Sequence, residues 1–103
     1  MLIRQGDVLL RRIAKLPETA KPVDGPVIVE YGEVTGHAHR IMRGATMFRD
    51  DGAGSGGQYL VVGDAPAELT HEEHSTALLD AGTIWERLPQ SEYSPVAIVR
   101  VVD

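Results

Sequence analysis

Short runs of β-branched, aliphatic and aromatic residues, each closed by glycine or proline, recur about every ten residues along this chain. Val8–Ile13, Val27–Tyr31, Ala45–Arg49, Gln58–Val62 and the stretches 83–88 and 96–102 are such runs. The punctuation between them includes Gln5-Gly6-Asp7, Arg43-Gly44, Gly63-Asp64-Ala65-Pro66 and Asp80-Ala81-Gly82, with a proline-containing loop over 16–26. That rhythm predicts an all-β fold, a small sandwich or barrel with at most one short helix. The chain has 103 residues, which supports a single domain over 1–103 with one modest core. Val8, Leu10, Val27, Val29, Leu60, Val62, Ile84, Ile98 and Val101 are expected to contribute to that core. Trp85, the only tryptophan, is expected to be buried or to lie at a subunit contact.

Gly32 and Gly36 interrupt the sequence after Tyr31, so a bulge or bend is expected before the next strand over 37–42. The segment Asp50-Asp51-Gly52-Ala53-Gly54-Ser55-Gly56-Gly57 reads as a mobile hairpin tip. It lacks the Lys-Ser/Thr and the following helix of a phosphate loop, and its two aspartates would repel phosphate. The near-continuous apolar run at 96–102 implies a strand covered on both sides, by the core or by a neighbouring subunit.

Cysteine is absent, which excludes disulfides, thiolate metal sites, iron–sulfur clusters and thiol nucleophiles. The opening residues meet charge and glycine too early for a secretory signal, and no apolar run approaches the ~20 residues of a membrane helix. A cytoplasmic protein without membrane contact is the expectation. Net charge is −5 and unevenly spread. Residues 1–49 carry eight Arg/Lys against five Asp/Glu, and residues 50–103 carry two Arg against ten. An acidic chain without a dense basic run is a poor partner for nucleic acid. If the asymmetry survives folding, opposite patches favour homo-oligomers of head-to-tail or ring type.

All four histidines fall in two tight pairs, His37-Ala38-His39 and His71-Glu72-Glu73-His74. On a strand, positions i and i+2 project to one face; in a turn or one helical turn, i and i+3 can do the same. Neutral imidazole is a common ligand for first-row metals, so His37, His39, His71 and His74 are the candidate ligands of one divalent ion, zinc first, with iron or nickel as alternatives. The alternatives are two unrelated surface pairs or a metal-free acid/base cluster. Around the second pair the local structure stays open. Thr70 and Glu73 have capping-box spacing, and Ala77, Leu78 and Leu79 suit a helix ending at Gly82. A loop followed by a strand over 75–79 competes, and the surrounding β rhythm favours it.

The stretch Gly32-Glu33-Val34-Thr35-Gly36-His37-Ala38-His39-Arg40, with Leu69-Thr70-His71-Glu72-Glu73-His74, Glu92-Tyr93-Ser94-Pro95 and the opening Arg4-Gln5-Gly6-Asp7-Val8, resembles a group of short bacterial and phage open reading frames with no established activity. That resemblance implies one compact family domain. A weaker one is to cupins, small β-barrels that hold a metal through HxH on one strand and a later histidine. Here His37 and His39 match the HxH, and His71 or His74 stands for the later ligand. The cupin glutamate is missing: Arg40, Ile41, Met42 and Arg43 occupy its stretch, so Glu33, Glu72 or Glu73 would have to substitute.

Three functions are compatible with these residues. One is a metal-dependent hydrolase or dioxygenase acting on a small molecule, with three histidines and an open position. Glu72 or Glu73 would then serve as general base, and Arg40 would hold an anionic substrate or transition state. Another is a structural ion closed by all four histidines. The last is a self-assembling or partner-binding β module of phage or mobile-element origin. Three ligands plus water would favour the enzyme, four the structural site.

Overall fold

The computed structural model describes residues 1–31, 36–50 and 57–88, together with the backbone of 99–102. These residues form strands and turns and no helix, as the punctuated apolar runs require. In chain order the strands are β1 (Leu2–Gln5), β2 (Val8–Ile13), β3 (Lys21–Pro22), β4 (Val27–Tyr31), β5 (Ala38–Ile41), β6 (Ala45–Arg49), β7 (Gln58–Val62), β8 (Ala67–His71), β9 (His74–Leu79), β10 (Ile84–Leu88) and β11 (Val99–Val102). They build a larger sheet in the order β11-β1-β2-β10-β7-β6-β3 and a smaller one in the order β4-β5-β8-β9. Neighbours run antiparallel, except that β11 lies parallel to β1 at the edge of the larger sheet.

The core lies between the two sheets. Ile3, Val8, Leu10, Met47, Leu60, Val62 and Trp85 of the larger sheet meet Val29, Ile41, Ala67, Leu69, Ala77 and Leu79 of the smaller one. Alternation along each strand explains the set: Val8 and Leu10 point inward, whereas Leu9 joins Leu2 and Leu88 in a second cluster. Of the expected core residues, Val8, Leu10, Val29, Leu60 and Val62 are buried, Val27 packs against the core, and Ile84 is half-buried. Trp85 is 1% exposed and its indole N–H donates to Thr83 Oγ1 at 2.8 Å. The side chains of Ile98 and Val101 lie outside the described residues.

Arg87 ties the sheets together: it donates to the Val29 carbonyl at 3.1 Å and pairs with Glu30 at 2.9 Å. The loop expected over 16–26 contains the two-residue strand β3, which pairs with Phe48 and Arg49. Pro22 is tolerated there because β3 is the last strand of its sheet. Arg49 and Gln58 pair across β6 and β7, so these strands form a hairpin. The glycine-rich residues 51–56 lie outside the described residues, as do Gly32 to Thr35 and residues 89–98.

Two irregularities set the geometry of the site. On the smaller sheet Ile28 pairs with Arg40 and Glu30 with His39, so β4 holds one extra residue against β5. Leu69 pairs with Ala77 and His71 with His74, which puts one extra residue on β9. In unbroken register His71 would face Ser75. Because side chains alternate with a period of two, the bulge brings His74 opposite His71. The segment 71–74 is therefore a tight β-hairpin with Glu72 and Glu73 at its tip, and the helix offered by the capping-box spacing does not form. The pairing of β8 with β5 and β9, with Leu69, Ala77 and Leu79 in the core, outweighs a local propensity of a few tenths of a kcal/mol per residue.

Candidate metal centre

His39 lies on β5 two residues before the core residue Ile41, so its side chain turns toward the space between the sheets. It is 4% exposed. His71 and His74 close the end of β8 and open β9, facing one another across the hairpin. Their rings approach His39: centroids are 4.3 Å apart for His39 and His71, 4.6 Å for His71 and His74, and 5.8 Å for His39 and His74. One nitrogen from each of the three lies within 4.8 Å of the others. Nitrogens sharing a tetrahedral zinc sit about 3.3 Å apart, so a shared ion would draw the three rings closer.

Gln5 fixes the chemistry of His39. It sits at the end of β1 on the same face as Ile3 and is fully buried. Its amide N–H groups donate to the carbonyls of Leu69 and Ser75, both at 2.8 Å. Carbonyls only accept, so the amide nitrogen must face them and Oε1 is left toward His39 Nδ1, also at 2.8 Å. Oε1 has no proton to give. Nδ1 of His39 therefore carries the hydrogen, and Nε2 presents a lone pair. Burial pushes the His39 pKa down from 6.5 to about 4, with the neighbouring His71 adding to the effect and Glu30 opposing it. A neutral imidazole with one nitrogen held by a polar brace is what a metal ligand needs.

Gly6, next in the chain, seats His74. Its φ is +55°, and a Cβ there would lie 2.5 Å from His74 Nε2. Glycine is needed both for the turn between β1 and β2 and for the close approach of the ring. From the sequence Gln5 and Gly6 read only as part of a turn, with no role at the site. The single signal was an amide two residues after Ile3, followed at once by a turn glycine.

His71 is held differently. The Glu73 backbone N–H donates to its Nδ1 at 3.0 Å, so neutral His71 carries its proton on Nε2. His37 stands just before β5 and meets His71 edge to face at 5.9 Å. It does not join the three-histidine group; it falls into a second set with His71 and Glu72. Its Nδ1 is buried without a hydrogen-bond partner, and the Glu73 carboxylate lies 3.6 Å away.

Both oxygens of Glu72 are engaged. Oε1 accepts from the Ala38 N–H at 2.8 Å, and Oε2 lies 3.4 Å from the Arg40 guanidinium. The Ala38 bond, with Arg40 assisting, holds the carboxyl below the usual range. Arg40 also donates to the Gly36 carbonyl at 3.0 Å. Glu73 remains mostly exposed.

The fold and this site define a class: an all-β sandwich that gathers imidazoles at one end, braced by a hairpin of the opposite sheet. Residues 4–88, a span that includes Gln5, Gly6 and all four histidines, match the family described as Domain of unknown function (DUF8820), and the chain belongs to that family. No curated protein and no solved structure matches the chain. Among the described residues no helix is long and apolar enough to cross a membrane.

Proposed function

We propose that this domain binds one divalent metal ion through His39, His71 and His74, with zinc as the ion that suits an all-imidazole shell. The observation that carries the reading is the Gln5–His39 pair, which leaves the Nε2 lone pair of a neutral His39 free, beside two further imidazoles that each offer a nitrogen within 4.8 Å of the others. A zinc ion held by three imidazoles keeps a fourth position for water or a small ligand and brings that water's pKa toward ~7. His37 stands outside this triad, which favours an open site over closure by four histidines.

The residues around the triad divide unevenly between roles. Glu72 is a weak candidate base, because its oxygens already serve Ala38 and Arg40 and its pKa is lowered. Glu73 is the more exposed of the two carboxylates at the hairpin tip. Ligation by His71 requires the Glu73 amide to let go, whichever nitrogen binds. The loss is one neutral hydrogen bond, about 1 kcal/mol, small beside the free energy of zinc binding by histidine and cysteine sites. Of the HxH pair that carries the likeness to cupins, only His39 joins the triad.

Elemental analysis of protein purified without chelator tests the reading. One zinc, iron or nickel ion per chain is expected, falling sharply in His39→Ala and His74→Ala and retained in His37→Ala. Protein that contains no metal, and that takes up none when titrated with Zn²⁺, would refute it.

A further inference from the structure

The three-histidine group leaves one histidine and one engaged carboxylate unused beside it. His37, His71 and Glu72 each offer a ligand atom within 4.8 Å of the others, and His71 belongs to both groups. The second group lies nearer solvent: Glu72 is exposed and His37 half-buried, whereas His39 is 4% exposed. Two imidazoles and a carboxylate are a recognised donor set for zinc-like ions. The independent observation is His37 Nδ1, buried and without a hydrogen-bond partner. The Glu73 carboxylate, 3.6 Å away, is too distant for a hydrogen bond, and a bound cation would satisfy the lone pair of this nitrogen.

Resting on the reading of the triad as a metal site, we propose that His37, His71 and Glu72 form a second, outer cation position, which captures a divalent ion from solvent and passes it to His39 and His74 through the shared His71. The geometry supports a relay because both donor sets meet at one ring. His71 lies 5.9 Å from His37 on one side and 4.3 Å from His39 on the other, centroid to centroid. The anionic Glu72 carboxylate supplies the attraction for an arriving cation. Arg40, 3.4 Å from it, keeps the position weak, so the ion moves on.

Co²⁺ binding to the metal-free full chain, followed by absorbance in equilibrium and stopped-flow experiments, tests this. In His37→Ala and Glu72→Gln the equilibrium affinity should stay within about threefold of the parent, while association slows by about tenfold or more. Gln at position 72 still accepts from the Ala38 N–H, so the fold tolerates that variant. His74→Ala should keep a weak Co²⁺ site that disappears in His37→Ala/His74→Ala. If the parent binds Co²⁺ but association is unchanged in both outer variants, or His74→Ala binds none, the outer position is wrong and the triad stands. If the parent binds no Co²⁺, the triad and the relay fail together.

Discussion

Gln5 Oε1 accepts the Nδ1 proton of His39 across the sandwich, from the end of β1 to β5, at 2.8 Å. The same amide also reaches Leu69 and Ser75 on β8 and β9, so one buried side chain links the larger sheet to three strands of the smaller. Gln5→Leu should leave two carbonyls and the His39 N–H without their present partner. A loss of about 2–4 kcal/mol is expected in urea denaturation of the metal-free protein. Because the brace also orients a ligand, zinc affinity should fall about 10- to 100-fold. A variant as stable as the parent and equally tight for zinc would remove Gln5 from the site.

Acid should weaken the metal-free fold through His39. Its unfolded pKa is the ordinary 6.5 and its folded pKa about 4. Above pH 6.5 both states are neutral and nothing changes. As pH falls from 6.5 to 4, the unfolded chain takes up a proton that the folded one refuses, and stability declines by up to about 3 kcal/mol before levelling off. Urea midpoints measured with chelator at several pH values, for the parent and His39→Leu, isolate this contribution. Parallel curves for the two proteins across that window would contradict it.

Gly6→Ala tests the seat beneath His74. The new methyl meets two penalties, a left-handed φ of +55° and a 2.5 Å approach to His74 Nε2. The backbone alone costs about 1 kcal/mol, and the ring must also turn away. Melting temperature should drop by about 4–8 °C for each kcal/mol lost, and zinc affinity should fall with it. Gly25→Ala, where φ is +95° but nothing lies within 4 Å, should lower stability while leaving zinc affinity unchanged.

Metal binding should be visible at the hairpin tip. The Glu73 amide donates to His71 Nδ1 at 3.0 Å. Ligation of His71 removes that acceptor, so the Glu73 amide resonance should shift and exchange with solvent faster when Zn²⁺ is added. The Trp85 indole N–H, which donates to Thr83 Oγ1 and to no residue of the site, serves as the unaffected control. An unmoved Glu73 amide in zinc-loaded protein would exclude His71 as a ligand.

Much of this molecule follows from local sequence. Glycine and proline spacing marks the strands, and alternation within Val8–Ile13 and Gln58–Val62 separates the inward residues from the rest, because the pleat has a period of two. Pairing the histidines by spacing picks out the residues that meet at the site. Period and spacing carry no information about which strands become neighbours, and that the tertiary structure decided. The bulge on β9 determines that His74, and not Ser75, faces His71; His37 falls just outside β5 and leaves the triad. Gln5 acquires its role only because β1 of one sheet crosses the ends of β5, β8 and β9 of the other, sixty-four residues of sequence separating it from the Leu69 carbonyl it holds. Contacts at that range depend on register and sheet order, which arise when the two sheets close over a common core and no single segment encodes them.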